Sequence, residues 1–271
     1  MNRAAPAAVV AVVVLIAGCA ARAPERPQGP GTPDPAAIDA FNAATKQCAG
    51  LKTLTAEIRL SGRAGGERLR GTLHAGFAAP ASLRFEAVAP FGPPVFILAG
   101  RNNRTTLFFP RDNRVLPDVP LAEVLDRLTA LALNADDVRL VLTGCLVQGA
   151  TPSEGRAWNG GLRGVTLTSN ITAYVRDRNG VPEVVAADYG AWLVDYAGHL
   201  NGWPRTVRIR SREAGGTPSP ERTSVDATAR LDQLELNVPI EDRAFDVEVS
   251  AGAERLTLND LRAIAPLRGS Q

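Results

Sequence analysis

The sequence predicts a mainly β protein in which a single antiparallel sheet curls around a few helices. Short runs of alternating apolar and polar residues recur along most of the chain, and a period of two is typical of strands with one buried and one solvated face. Glycine, proline and asparagine separate these runs and favour tight turns. No repeat unit and no change of composition divides the 271 residues. We therefore expect one folded domain after the N-terminal segments.

The first residues have the composition of a secretory signal. Asn2 and Arg3 precede an apolar run over 4–17, which is too short to span a membrane, since a spanning helix needs about 20 apolar residues. The run leads into Ile16-Ala17-Gly18-Cys19, which resembles the lipobox of bacterial lipoproteins, whose cysteine is acylated and becomes the mature N-terminus. The pattern predicts a signal peptide over 1–18 and lipidation of Cys19, and the alternative is an ordinary signal peptide with a chance cysteine.

The segment 19–35 is predicted to be a tether between the acylated cysteine and the folded domain. It contains five prolines with glycines and few apolar side chains, a composition that cannot form a packed core. In a polyproline conformation of about 3.1 Å per residue, its length reaches about 50 Å. Ala20 follows Cys19, and the absence of aspartate there favours the outer membrane. We expect a protein anchored by its lipid at the periplasmic face of that membrane, with the domain over 36–271.

Charge and motifs give no indication of an enzyme or of a nucleic-acid-binding protein. The net charge is +2, and arginines are spread along the polar faces of the strands. The two histidines, His74 and His199, have no cysteine or carboxylate at ligand spacing, so a metal site is not predicted. Nucleophile motifs and phosphate-binding glycine loops are also absent from the sequence. We expect no catalytic residues, no metal and no cofactor.

Cys48 and Cys145 remain as an even pair once Cys19 is acylated. In an exported protein such a pair predicts a disulfide, and two buried free thiols are the alternative. The bridge would close a loop of about 100 residues, worth up to about 4.7 kcal/mol in the chain-entropy model. It would tie the first helix to the segment around 138–142.

A first helix is predicted over 36–49. Ile38, Phe41, Ala44 and Cys48 recur at intervals of three and four residues, after Asp34 as the expected cap and Pro35 as the first helical residue. A meander of strands follows. Its predicted strands lie near 53–62, 67–78, 82–89, 94–100, 104–109 and 113–116.

Two more helices interrupt the strands near the middle of the chain. The first carries one apolar stripe, Leu121, Val124, Leu125, Leu128 and Leu131, and the second runs over 135–141. Both helices need an apolar surface to pack against, and the apolar face of the meander is the large apolar surface that the sequence predicts. Further strands are predicted near 163–168, 171–176, 182–187, 191–196, 204–211, 223–231 and 234–238, with a last helix over 259–264.

Three motifs resemble the LolB/LolA superfamily, which comprises the outer-membrane lipoprotein receptor and the periplasmic lipoprotein carrier of bacteria. Residues 84–94 (RFEAVAPFGPP) are similar to the strand and loop of LolB that carry Pro-Leu-Gly. Residues 116–121 (LPDVPL) resemble the entry to the helical lid, and 192–196 (WLVDY) with 204–210 (PRTVRIR) resemble a conserved pair of strands. The resemblance implies an unclosed β half-barrel, a helical lid and a cavity between them for acyl chains.

The resemblance also implies which residues act. Phe91, between Pro90 and Gly92, takes the place of a protruding leucine that helps to insert lipoproteins into the membrane. The alternative is a loop phenylalanine that folds back on the edge of the sheet. The residues expected to line the acyl cavity, which are equally suited to ordinary core packing, are Ile58, Leu73, Phe77, Phe85, Ile97, Phe108, Leu125 and Leu128.

The function implied is that of a lipid-anchored outer-membrane protein that binds acyl chains or lipoproteins and assists their insertion. A LolA-like carrier is an implied partner, and nucleic acid is not. The alternative is a non-catalytic structural or binding module of an envelope complex with the same fold. The two hypotheses differ in the core, because a carrier needs an open apolar space between sheet and helices and a scaffold does not.

Overall fold

The computed structural model describes residue 27 and residues 29–146, 149–212 and 224–264, without the side chains of Arg262 and Ala263. The predicted signal peptide, Cys19 and the first part of the tether lie outside the described residues. Within that part of the chain, fifteen strands form one sheet. They are β1 (Thr32–Pro33), β2 (Thr53–Ala64), β3 (Glu67–Ala78), β4 (Ser82–Ala87), β5 (Ile97–Arg101), β6 (Arg104–Phe109), β7 (Arg114–Pro120), β8 (Pro152–Trp158), β9 (Leu162–Leu167), β10 (Thr172–Arg178), β11 (Val181–Asp188), β12 (Trp192–Ala197), β13 (Thr206–Ser211), β14 (Val225–Leu236) and β15 (Glu254–Arg255).

The sheet consists of two meanders joined side by side. Strands β2 to β7 form one meander and β8 to β14 the other, and the long strands β14 and β2 pair antiparallel, with Leu231 opposite Ile58. β1 extends the edge at β8, and β15 pairs with β7 in parallel at the opposite edge. The prediction of a mainly β fold with a single unclosed antiparallel sheet is confirmed.

Four helices accompany the sheet: α1 (Ala36–Thr45), α2 (Leu121–Thr129), α3 (Ala135–Thr143) and α4 (Leu261–Ile264). Each contributes a side chain to the main core cluster, namely Phe41, Val124, Val141 and Leu261. The helices therefore pack on one face of the sheet, which we call the inner face. Both meanders supply its apolar side chains, including Leu54, Phe77, Val194 and Val207. Every second strand residue points to the opposite, outer face.

The last part of the predicted tether belongs to the folded domain. Thr32 and Pro33 pair with Ala157 and Arg156 of β8. The Trp158 indole donates to the Gly29 carbonyl at 3.1 Å. These contacts differ from the free tether expected over 19–35, because β8, which the alternation of residues did not predict, presents an unpaired strand edge to this segment.

The start of α1 is fixed on β8 by a close backbone approach. The Asp34 amide donates to the Gly155 carbonyl at 2.9 Å. A Cβ atom at Gly155 would lie 2.3 Å from the Asp34 oxygen, so only glycine fits there. Pro35, predicted as the first helical residue, is the N-cap residue, and Asp34 Oδ1 accepts from the Ala36 amide at 3.1 Å. The tether and the first helix therefore share one attachment to the sheet.

Two strands predicted near 223–231 and 234–238 are one strand in the structure. β14 runs through both, with a register shift between Asp232 and Glu235. Gln233 within this bulge has a φ of 47°. The bulge interrupts the alternation of residues, which explains why the pattern predicts two strands.

Candidate functional site

The loop between β4 and β5 exposes an aromatic side chain. Phe91 is 89% exposed, and Val88 at the start of the loop is 41% exposed. Pro90 and Gly92 are exposed as well. Gly92 has a φ of +77°, which L-residues rarely adopt, so glycine permits the turn that carries the phenyl ring outwards. Phe91 thus does not fold back on the sheet.

Arg111 holds this loop from the neighbouring turn between β6 and β7. Its Nη2 donates to the Phe91 carbonyl at 2.6 Å, and its Nε donates to the Pro93 carbonyl at 3.3 Å. The two bonds join the backbone on both sides of Gly92. Sequence reasoning missed Arg111, since a single arginine in a turn carries no sign of the carbonyl groups it contacts.

Six of the eight residues predicted to line an acyl cavity lie on the inner face. Ile58, Leu73, Phe77 and Phe85 are buried in the main core cluster, and Leu125 and Leu128 of α2 are half-buried against it. Phe77 and Phe85 meet edge to face, with ring centroids 5.4 Å apart. This surface is apolar and continuous across β2, β3 and β4.

Ile97 and Phe108 do not lie on that surface, which corrects the prediction. They pair with each other across β5 and β6, outside the main core cluster, whereas the adjacent Leu98, Leu107 and Phe109 belong to it. Adjacent strand residues point to opposite faces, so Phe108 and Phe109 cannot both point inwards.

The 3₁₀ turn Asp242–Phe245 packs on the outer face against β4 and β5. Arg84 of β4, which points outwards, donates to the Ala244 carbonyl at 3.0 Å. Phe245 is buried in this turn. Phe108 is 4% exposed and is thus buried although it lies outside the space between sheet and helices.

Side chains fill the inner surface at the predicted cavity positions. Phe77 is 0% exposed and Ile58 2% exposed. A residue beside a space wide enough for an acyl chain would keep area accessible to a water-sized probe. In this conformation Phe77 and Ile58 therefore touch protein on all sides, and an acyl chain would have to displace some of their neighbours.

A disulfide joins the ends of α1 and α3. Cys48 and Cys145 are bonded at 2.08 Å, with Cα atoms 5.6 Å apart. Beside it, the buried Arg139 of α3 donates to the Leu51 carbonyl at 2.8 Å and pairs with Asp136. Asn134 accepts from the Asp137 amide at 2.9 Å, while the Asp137 side chain accepts from the Asn134 amide. α3 thus has a cap, an ion pair and a covalent attachment.

A small cleft next to the disulfide contains His199. The cleft is lined by Ala44, Gln47, Cys48, Thr143, Gly144, Val184, His199, Gly202 and Pro204. His199 Nε2 lies 3.0 Å from the Val184 carbonyl, and Nδ1 lies 3.3 Å from Glu183 Oε2. Burial lowers the pKa of His199, although the Glu183 carboxylate opposes this shift. Among the described residues, no group of three His, Cys, Asp or Glu side chains is placed to hold a metal ion.

None of the helices in the described ranges is long and apolar enough to cross a membrane.

No known family model matches the sequence, and no curated protein matches it.

Several solved structures are similar in fold at low sequence identity. A putative outer membrane lipoprotein-sorting protein domain from Vibrio parahaemolyticus is 9% identical, with a TM-score of 0.48 over 78% of this chain and 97% of that chain. A LolA superfamily protein from Nitrosomonas europaea is also 9% identical, with a TM-score of 0.48 over 76% of this chain and 97% of that chain. A DUF1329 family protein from Desulfovibrio piger is 14% identical, with a TM-score of 0.43 over 79% and 98%.

Proposed function

We propose that the protein is a lipid-anchored lipoprotein at the periplasmic face of the outer membrane, which binds acyl chains or lipoproteins and assists their insertion into that membrane. The observation that carries this proposal is the exposed Phe91 on a loop held by Arg111. The sequence motifs shared with LolB support it. Transfer of this kind requires binding and release alone, so the proposed protein is not an enzyme and needs no cofactor.

The loop suits contact with a membrane on energetic grounds. Moving a phenylalanine side chain from water into an apolar phase contributes about 1.5–3 kcal/mol. Because Arg111 already bonds both sides of the turn, little conformational freedom remains to be lost on insertion. Phe91 would perturb the acceptor bilayer while the rest of the domain stays in water.

Acyl binding would use the apolar inner face next to α2. Leu125 and Leu128 of this helix pack against the inner face, and both side chains remain half-buried. Each methylene group of an acyl chain that leaves water contributes about 0.8 kcal/mol. An incoming chain can therefore offset the loss of the contacts that α2 makes with the sheet, and we expect entry beneath this helix.

The test of the loop is Phe91→Glu in a lipoprotein insertion assay. We expect insertion into vesicles to fall at least tenfold, since a carboxylate does not enter the bilayer, while acyl-chain binding stays unchanged. Val181→Glu is the matched control, because Val181 is an exposed apolar residue beside another hairpin turn. Normal insertion by Phe91→Glu would remove the loop from the mechanism.

The filled inner surface favours a second candidate, a structural or binding module of an envelope complex. Native mass spectrometry of the chain from residue 20 onward, purified without detergent, separates the two. Co-purified lipid or acylated peptide that organic extraction removes would support the carrier. A clean protein mass, together with no uptake of a fluorescent fatty acid, would support the structural module.

A further inference from the structure

Three arginines are concentrated on the outer face of the β2–β3 hairpin. Arg63 and Arg68 are directly opposite each other, and Arg70 is opposite Ser61 two pairs further along the strands, on the same face. All three are exposed. Directly opposed residues of an antiparallel pair have Cβ atoms about 5 Å apart, and like charges at that separation lower stability. The stability of the hairpin therefore does not explain this arrangement.

Several other arginines of the same face have acidic partners. Arg59 pairs with Asp232 at 2.6 Å, Arg208 with Asp226 at 2.7 Å and Arg210 with Asp195 at 2.7 Å.

Arg63, Arg68 and Arg70, by contrast, make no ion pair with any residue that the structure describes. Asp226 lies opposite Arg63 on β14 but accepts two hydrogen bonds from Arg208, at 2.8 and 2.7 Å. Counted over the described residues, the outer face at the end of the hairpin consequently carries an excess of positive charge.

This basic surface, formed by Arg63, Arg68 and Arg70, lies at the same end of the sheet as the Phe91 loop. The last pair between β3 and β4 is Leu73 with Ala87, and the Val88 amide donates to the Thr72 carbonyl at 2.8 Å. The part of β3 before Thr72, which carries Arg68 and Arg70, extends past the end of β4 on the side where the Phe91 loop leaves the sheet.

We propose that the basic surface is a docking site for the anionic headgroups of a membrane, with Phe91 entering the same membrane beside it. Guanidinium groups bind phosphate oxygens strongly, and basic residues near an exposed aromatic are typical of proteins that bind at a lipid interface. A soluble anion would not account for the exposed Phe91, so the occupant must be both anionic and apolar. The inference rests on the proposed function, since it adds a charge requirement to the membrane contact of the loop.

The experiment measures binding of the chain from residue 20 onward, which lacks the acylated cysteine and keeps every described residue. Its partition is compared between vesicles of phosphatidylcholine and vesicles that also contain phosphatidylglycerol. We expect binding to favour the anionic vesicles and to weaken as sodium chloride is added. Each change among Arg63→Gln, Arg68→Gln and Arg70→Gln should lower the partition about fivefold, and the triple variant about 100-fold.

Arg176→Gln is the matched control, because Arg176 is an exposed arginine of β10 in the other meander. It removes the same charge and should leave the partition unchanged. Arg68→Gln removes one of two opposed like charges, so it is not expected to unfold the protein. A thermal melt of each variant checks this.

Two results would overturn the inference. One is vesicle binding that does not depend on the arginines, seen either as equal binding to both kinds of vesicle or as a triple variant that binds like the original chain. The other is binding to heparin, a soluble polyanion, without binding to vesicles. Phe91→Gln separates the inference from the proposed function. If this variant inserts lipoproteins as well as the original chain and keeps its preference for anionic vesicles, while the arginine variants lose theirs, the basic surface stands and the role of the loop in insertion falls.

Discussion

The helices cover the inner face of the sheet in two different ways. α1 and α3 are joined by the Cys48–Cys145 disulfide, and α3 carries a capping box at Asn134. α2 has no disulfide, and its N-cap residue Pro120 makes no side-chain hydrogen bond. Packing against β7 and α4 holds α2 in place. α1 and α3 are fixed by a disulfide, a capping box and a buried ion pair, whereas α2 is held by apolar contacts and by its Leu121 amide, which donates to the Asn103 carbonyl at 2.9 Å.

This difference indicates where the inner face can open. Apolar contacts are not directional, so under the proposed function α2 would exchange its contacts with the sheet for contacts with an acyl chain at little cost. The buried ion pair and hydrogen bonds of α3 cannot be exchanged in that way, because each group left without a partner is costly. Four changes test the comparison, from the largest expected effect to the smallest.

Removing the disulfide should have the largest effect. The double change Cys48→Ser and Cys145→Ser opens a loop with a sequence separation of 97 residues, and we expect the free energy of unfolding to fall by about 4 kcal/mol. Urea denaturation followed by circular dichroism measures it. Reduction of the original chain with dithiothreitol is the control and should give the same midpoint. An unchanged midpoint would contradict the fixed attachment of α1 to α3.

Arg139→Met should be nearly as severe. The Arg139 side chain is 5% exposed, and its removal leaves the carboxylate of Asp136, 14% exposed, without its partner. Such a loss costs about 3 kcal/mol. Arg127→Met on the half-buried face of α2 is the matched control, expected to change stability by less than about 1 kcal/mol. Equal costs of the two changes in urea denaturation would erase the distinction between α3 and α2.

Asn134→Ala tests the cap of α3. It removes the acceptor for the Asp137 amide, and we expect a loss of about 1 kcal/mol in thermal or urea unfolding. Asn134→Asp keeps an acceptor oxygen and should unfold at nearly the original midpoint. If the alanine variant is also unchanged, the cap contributes nothing to the rigidity of α3.

Leu128→Ala should have the smallest effect on global stability, about 0.5–1 kcal/mol, because Leu128 is only half-buried. Its effect should instead be local. We expect faster hydrogen exchange of the α2 amides and unchanged exchange in α3, measured by mass spectrometry of peptic fragments. Val141→Ala in α3 is the counterpart, and faster exchange throughout both helices would show that they open together.

The sequence predicts the elements well where the alternation of residues is regular. β2, β3 and β6 begin and end within two residues of their predicted positions. The apolar stripe of α2 and the pairing of Cys48 with Cys145 are also visible, because periodicity and an even cysteine count are local properties. These features need no knowledge of which strands are neighbours.

The errors arise where a choice depends on tertiary neighbours. Phe108 and Phe109 are adjacent, equally apolar and both buried, so the sequence alone does not tell which of them points to the inner face. Arg111 is likewise identified by the two carbonyl oxygens it contacts in another loop. Neither relation leaves a signal in a single sequence.

If Cys19 is acylated as proposed, the pairing of residues 32 and 33 with β8 and the bond from Trp158 to Gly29 limit how far the domain can move from that anchor. The segment between Cys19 and Gly29 has about nine residues instead of the sixteen or so of the predicted tether, and it reaches at most about 30 Å when fully extended. A domain held by a shorter connection explores a thinner layer of water above the membrane, so the local concentration of its Phe91 loop at the bilayer rises. Contact between the Phe91 loop and the bilayer then becomes an intramolecular event. A loop with weak intrinsic affinity for lipid can thus remain at the surface for much of the time and still release quickly.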